Sequence, residues 1–312
     1  MPTIVMYHYV RDLPNSRFPR IKGLLTEEFD QQLDYIPARY TVCSLQQVAD
    51  AIRGEDVLPA NACVLTFDDG FIDHYVTVMP RLVRRGIVGS FFVPAQPVLE
   101  HSVLGVHKIH FILAAVADPI QLGVRLRALV AASRAEHELP SDEGLWASYG
   151  RAGRYDSTQV MFIKAMLQHA LPDALRTSLV DELFAEYVSD DEAGFAGELY
   201  LDESQIRAMA DAGMEFGGHG YAHLRWDRIP TDLLQREVDL SLDFLARCLG
   251  ARPASWSVCY PFGAYDATTL KLLQKAGCII GLTTRPQIVA DLQRPLELGR
   301  LNTNDLPPRS RG

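Results

Sequence analysis

The run Ala62-Cys63-Val64-Leu65-Thr66-Phe67 leads straight into Asp68-Asp69-Gly70, without the polar alternation of a half-exposed strand. A strand that is apolar along its length is covered on both faces, and such strands belong to parallel sheets flanked by helices. The same rhythm recurs along the chain. Strand-like segments at 3–9, 87–93, 214–216, 256–259, 279–283 and 296–301 alternate with helical patterns at 26–36, 44–53, 73–85, 203–212, 231–249 and 267–276. Thr26-Glu27-Glu28 opens the first helix with a cap and an acidic first turn, and Gly213 and Gly250 mark helix ends. Repeated βα units of this kind predict an α/β fold built on a parallel sheet, open or closed into a barrel.

Residues from about 100 to 200 break the rhythm. Helical patterns at 107–117, 119–135, 157–169 and 173–188 follow one another with few strand signals, divided by a polar, glycine-bearing stretch at 138–156. The expectation is a single domain over 1–312 with a helical insertion at about 100–200, followed by a disordered tail from about 306. The insertion is either a cap over the active face or a dimerisation element, so a homo-oligomer is among the expected partners. With 48% apolar and 22% charged residues the chain is no disordered polymer, and a net charge of −9 argues against a general nucleic-acid binder. No stretch reaches the ~18 apolar residues of a membrane span. The N-terminus lacks a basic n-region and an apolar h-region. The five cysteines are odd in number, widely spaced and set among apolar neighbours, and none forms a CxxC pair. These features predict buried thiols in a reducing, cytoplasmic compartment.

Three segments carry candidate chemistry. Asp68 and Asp69 are adjacent carboxylates at the end of a strand, where α/β folds place their active sites; an ordinary Asp-Gly turn is the plainer explanation. Gly217-Gly218-His219-Gly220-Tyr221-Ala222-His223 puts two histidines four apart after a short strand, a spacing that can converge on one metal. With nine histidines in the chain, roughly 0.26 such pairs are expected at random, so the spacing is weak by itself. Cys259-Tyr260-Pro261-Phe262-Gly263 reads as a turn after another strand. Pro261 has no N–H, so Phe262 is the better backbone donor to a reacting oxygen.

In the order Thr-Phe-Asp-Asp-Gly, His-x-x-x-His, Tyr-Pro-Phe-Gly, the chain resembles the polysaccharide deacetylases of carbohydrate esterase family 4, the NodB-like deacetylases. The likeness covers roughly 1–95 and 200–305 and leaves out the insertion. It implies a distorted (β/α)7 barrel, a divalent metal (zinc or another), and removal of N-acetyl groups from amino sugars. It implies that Asp69, His219 and His223 hold the metal with coordination positions left open. Asp68 would be the general base, and the backbone N–H of Phe262 the oxyanion donor.

The departures concern two roles. Such enzymes carry an arginine shortly before the Pro-Tyr-Gly to orient the base; Tyr260 stands near that place and Arg252 lies several residues upstream. The Leu-x-His that supplies the general acid is missing, and the corresponding region offers Arg300 and Asn302. His8, His107 and His110 are the alternative proton donors. Trp226 is a sugar-stacking or a packing residue, and Arg225 and Asp227 read as a surface pair. The expected substrate is an N-acylated amino sugar, free or nucleotide- or lipid-linked, in the synthesis or modification of a surface polysaccharide or its precursor. The alternatives are a deformylase or amidase on another N-acyl substrate, and a catalytically inactive metal-containing sugar-binding protein.

Overall fold

The structure, a computed structural model, describes residues 1–153 and 156–309. They form two compact units, one of residues 1–12, 23–102 and 196–309, the other of residues 13–22, 103–153 and 156–195.

The first unit is built on one parallel sheet. Its strands are β1 (Thr3–Tyr7), β2 (Thr41–Val42), β3 (Ala62–Asp68), β4 (Gly89–Val93), β5 (Glu215–Gly218), β6 (Trp256–Cys259), β7 (Cys278–Leu282) and β8 (Leu301–Asn302). Their order is β8-β1-β3-β4-β5-β6-β7, with β2 pairing β3 off the path. The sheet curls into a half-barrel, and the stretch expected as a last strand at 296–301 bridges its two edges. Leu298 pairs with Leu282 of β7, and three residues later Leu301 pairs with Val5 of β1.

Strand alternation sorts the side chains onto two faces. Val5, Tyr7, Cys63, Leu65, Phe67, Phe91 and Val93 pack outward in one core with Phe29, Leu33 and Leu82 of the surrounding helices. Ile4, Val64, Phe92, Cys259, Ile280, Leu282 and Leu298 share a second core. Thr66 and Asp68 are in phase with Val64, so the end of β3 carries a carboxylate on the face away from those helices. The expected helices are present within a residue or two; Thr231–Leu249 agrees at both ends. The expected helix at 73–85 begins with one π-helical stretch, His74–Val78, before α-helix Met79–Arg85. All five cysteines are free and buried.

The second unit holds the helices Gly105–Ala115, Pro119–Ala132, Thr158–Ala165 and Asp173–Tyr187, near their expected positions. Helix Asp142–Tyr149 lies inside the stretch read as a polar divider; Ser141 caps it by accepting from the Gly144 N–H, a local signal that the glycine content masked. Residues 13–22 also belong to this unit, because Phe18 packs edge-on against Phe111 and Phe195. Lys108 is buried between Asp181 and Glu192, at 2.6 and 2.7 Å.

The expected tail from about 306 needs correction where it is described. Leu306 is buried, and Arg309 donates to the Glu28 carboxylate and the Gly23 carbonyl. These bonds tie Arg309 to helix Thr26–Tyr35 and to Gly23 ahead of it. Residues 310–312 lie outside the described residues.

Candidate metal centre and catalytic carboxylate

Because the strands are parallel, their C-terminal ends share one rim, and the loops leaving β1, β3, β5 and β6 supply the site. β3 ends at Asp68, and the chain then takes two left-handed residues in succession, Asp69 at φ 76° and Gly70 at φ 63°. Aspartate tolerates that conformation better than most residues. At Gly70 a Cβ would fall 2.6 Å from Val93 Cγ1, so only glycine fits. This abrupt turn sends the two neighbouring carboxylates to different partners.

Asp69 meets the histidines. Its Oδ1 lies 3.3 Å from His219 Nε2 and 3.6 Å from His223 Nε2. His219 Nδ1 is 2.7 Å from the Cys259 carbonyl, which can only accept; Nδ1 therefore carries a proton, and Nε2 is the nitrogen that could bind a metal. His223 reaches the cluster from a left-handed backbone, φ 55°. All three residues are at least nine-tenths buried. A tetrahedral ion with bonds of about 2.1 Å separates its ligand atoms by about 3.4 Å, close to the spacings observed, and one carboxylate with two imidazoles is a donor set suited to zinc. The residues fit a divalent metal.

Asp68 meets a guanidinium. Arg300 Nη1 donates to its Oδ1 at 2.9 Å and Nη2 to its Oδ2 at 2.7 Å, with Arg300 fully buried and Asp68 2% exposed. The same arginine donates to Thr66 Oγ1 and to the Thr283 carbonyl, and the Cys259 thiol donates to Asp68 Oδ2 at 3.2 Å. Burial alone would push the Asp68 carboxyl up; the Arg300 charge and its hydrogen bonds outweigh that and hold it at about 2. Asp68, His219 and Cys259 also form a potential ligand group, but Arg300 Nη2 sits 2.7 Å from Asp68 Oδ2 and 2.8 Å from Cys259 Sγ. A cation already fills that corner, which leaves the Asp69 group as the candidate metal site.

His8 follows β1 directly and faces the same carboxylate: its Nε2 is 3.9 Å from Asp68 Oδ2, and its side chain is 39% exposed. Its carbonyl accepts from the buried His74 ring. Phe262 occupies the left-handed position of the Pro261–Gly263 turn, and its half-exposed ring packs on that of His223, centroids 4.6 Å apart. His107 and His110 lie in the second unit on helix Gly105–Ala115, their rings 5.8 Å apart. Trp226 is 1% exposed and packs against Tyr260, whereas Arg225 and Asp227 form the expected surface pair.

Neither residue near the expected arginine position orients Asp68. Tyr260 donates to the Leu296 carbonyl, and Arg252 pairs with Asp239 and Asp243 at the surface. Arg300 stands in their place, delivered by the segment that bridges the sheet edges. Its signal in the sequence is a charge set among apolar residues in Leu298-Gly299-Arg300-Leu301: a charge drawn into a core has to find a buried partner.

The Polysaccharide deacetylase family model matches residues 179–280, which hold both histidines and the Tyr260–Gly263 turn. No curated protein matches the chain. Among solved structures, the deacetylase PplD of Streptococcus pyogenes in complex with acetate superposes with a TM-score of 0.57 at 18% identity, over 96% of this chain and 91% of that one. IcaB from Ammonifex degensii gives 0.55 at 19%, over 96% and 91%. A de-N-acetylase from Aggregatibacter actinomycetemcomitans gives 0.56 at 14%, over 97% and 95%. At these identities the likeness is one of fold. The curled, mostly parallel sheet with helices around it is the NodB-like deacetylase fold, as the sequence motifs imply.

Proposed function

We propose that this chain, which matches the Polysaccharide deacetylase family model over residues 179–280 and shares the fold of solved deacetylases, is a metal-dependent hydrolase that removes an N-acetyl or related N-acyl group from an amino sugar. The observation that carries the proposal is the division of labour between adjacent carboxylates: Asp69 faces two imidazoles at ligand spacing, while Asp68 is held ionised by Arg300. A protein that only bound sugar would have no use for a buried base beside the metal.

Asp69, His219 and His223 would hold the ion, zinc or another divalent metal, which when bound lowers the pKa of a water and polarises the acyl carbonyl. Asp68 takes a proton from the attacking water. Arg300 aims the carboxylate and keeps it free of a proton beforehand, at the cost of basicity. As the water oxygen adds to the acyl carbon, the Phe262 N–H is the candidate donor to the developing oxyanion. Cleavage of the C–N bond leaves a carboxylic acid and an amine, and the amine nitrogen needs a proton. His8, half-exposed and beside Asp68, is placed to supply it; the Nε2–Oδ2 spacing of 3.9 Å suits relay through a water or a small closure.

The substrate is an N-acylated amino sugar, free or linked to a nucleotide or lipid. A reducing, cytoplasmic setting is part of the proposal, supported by five buried free thiols. The test is Asp68→Asn in zinc-loaded protein, with turnover of N-acetyl and N-formyl amino sugars read by mass spectrometry. The variant should keep its zinc and lose about 10²–10⁴ in rate. Full activity would remove Asp68 as the base, and a wild-type protein inert on every N-acyl sugar would favour sugar binding without catalysis.

A further inference from the structure

The loop that carries both histidines turns on a buried carboxylate that the chemistry above does not use. Glu237 projects from the middle of helix Thr231–Leu249 and is 3% exposed. Its Oε2 accepts from the Tyr221 N–H at 3.0 Å, and both oxygens accept from the Ala222 N–H, at 3.2 and 3.1 Å. The Leu224 N–H points to it as well. Among the described residues no cationic side chain pairs with it. Backbone N–H groups of a tight turn form a concave anion site, and here the anion is the protein's own side chain.

The loop's carbonyls are held from the other side. The N–H groups of Ala95 and Gln96 donate to the carbonyls of Gly220 and Tyr221, at 3.3 and 2.9 Å, and the Tyr221 hydroxyl donates to Glu100. Between these two sets the backbone takes left-handed conformations at Gly220, φ 72°, and His223, φ 55°. The first leaves little room for a side chain, since a Cβ there would stand 3.0 Å from Glu237 Oε2. The second strains a residue that has a Cβ, and such a conformation persists only where its surroundings dictate it.

We propose that Glu237 is the positioning residue of the metal centre: by gathering the N–H groups between His219 and His223 it fixes both imidazoles at ligand spacing before any metal arrives. This rests on the assignment of Asp69, His219 and His223 as metal ligands. A preorganised site binds more tightly than one that must be ordered by its ion, and partners beyond the ligands themselves are commonly worth about 10–100-fold in metal affinity.

The experiment uses Glu237→Gln, which keeps the volume but replaces one acceptor with a donor facing other donors. Zinc affinity is measured by competition with a chromophoric chelator, and amide exchange at Tyr221 and Ala222 is followed in the metal-free protein. We expect affinity to fall about 10-fold or more, with exchange at both amides faster, and turnover restored by excess zinc because Asp68 and Arg300 are untouched. Gly220→Ala, which presses on the same carboxylate, should weaken zinc binding in the same direction. Unchanged affinity and unchanged exchange in Glu237→Gln would overturn the proposal. Asp69→Ala is run alongside: if it binds zinc like the wild type, the ligand assignment fails, while the exchange data still judge the clamp.

Discussion

Replacing Arg300 with methionine tests the catalytic carboxylate most directly. The side chains are similar in length, so packing is largely preserved while the charge is lost. In the native protein the guanidinium satisfies both oxygens of a carboxylate that is 2% exposed. Breaking a buried pair from one side leaves an uncompensated charge and costs about 3–5 kcal/mol. At about 2–3 °C per kcal/mol for a large domain, the melting temperature at pH 7 should fall by about 6–15 °C. The pH dependence has a definite sign. Asp68 is depressed to about 2 in the folded protein, so its pair stabilises the fold above the ordinary aspartate range and is lost as pH falls through that range toward 2. In the methionine variant burial acts unopposed by Arg300, so the Asp68 carboxyl titrates higher. The melting temperatures of variant and wild type should therefore converge on acidification, and the acidic limb of kcat/KM should move to higher pH. A variant that melts with the wild type and keeps the same pH–rate profile would refute both the stability and the catalytic role of this pair.

Two further substitutions separate acid from fold. His8→Gln removes the ionisable ring at the rim while the carbonyl that accepts from His74 remains; zinc affinity should be unchanged and kcat on an unactivated N-acetyl sugar should fall about 10²-fold or more, whereas a substrate with a good leaving amine should be spared. Equal losses on both substrates would remove His8 as the proton donor. Gly70→Ala places a Cβ 2.6 Å from Val93 Cγ1 at a left-handed residue, so chemical denaturation should show a loss of about 1–3 kcal/mol, and zinc affinity should fall because Asp69 shares the turn. A variant of native stability would show that the turn is not fixed by that contact.

The sheet was legible because its strands are short, apolar and separated by helices with ordinary caps; periodicity reports burial, and burial here follows the sheet directly. The candidate metal group was legible because Asp69 and the His219–His223 pair sit at strand ends in recognisable segments. Arg300 and Glu237 were not, for a common reason. Each acts over a long separation in sequence, 232 residues from Arg300 to Asp68 and 15 or 16 from Glu237 to the loop amides, and each resides in an element whose pattern is fully explained by packing. Helix 231–249 reads as amphipathic with or without Glu237. Residues 13–22 joined the second unit through the aromatic cluster around Phe18 and through Arg17 and Arg20, which donate to the Val188 and Ala115 carbonyls, pairings no local pattern encodes.

Adjacent carboxylates repel, and one of them would ordinarily take up a proton. This site avoids that outcome geometrically. The left-handed turn at Asp69 and Gly70 directs one carboxylate to a guanidinium and its neighbour to a pocket shaped for a cation. Arg300 is part of the chain, whereas a metal would have to be taken up from solution. It follows that Asp68 stays ionised with or without an ion beside Asp69. Stripping zinc-loaded protein with a chelator should therefore leave the Asp68 titration nearly in place, which carboxyl-carbon NMR on both forms can read. If that titration moved to higher pH on metal removal, Arg300 would not be its principal partner.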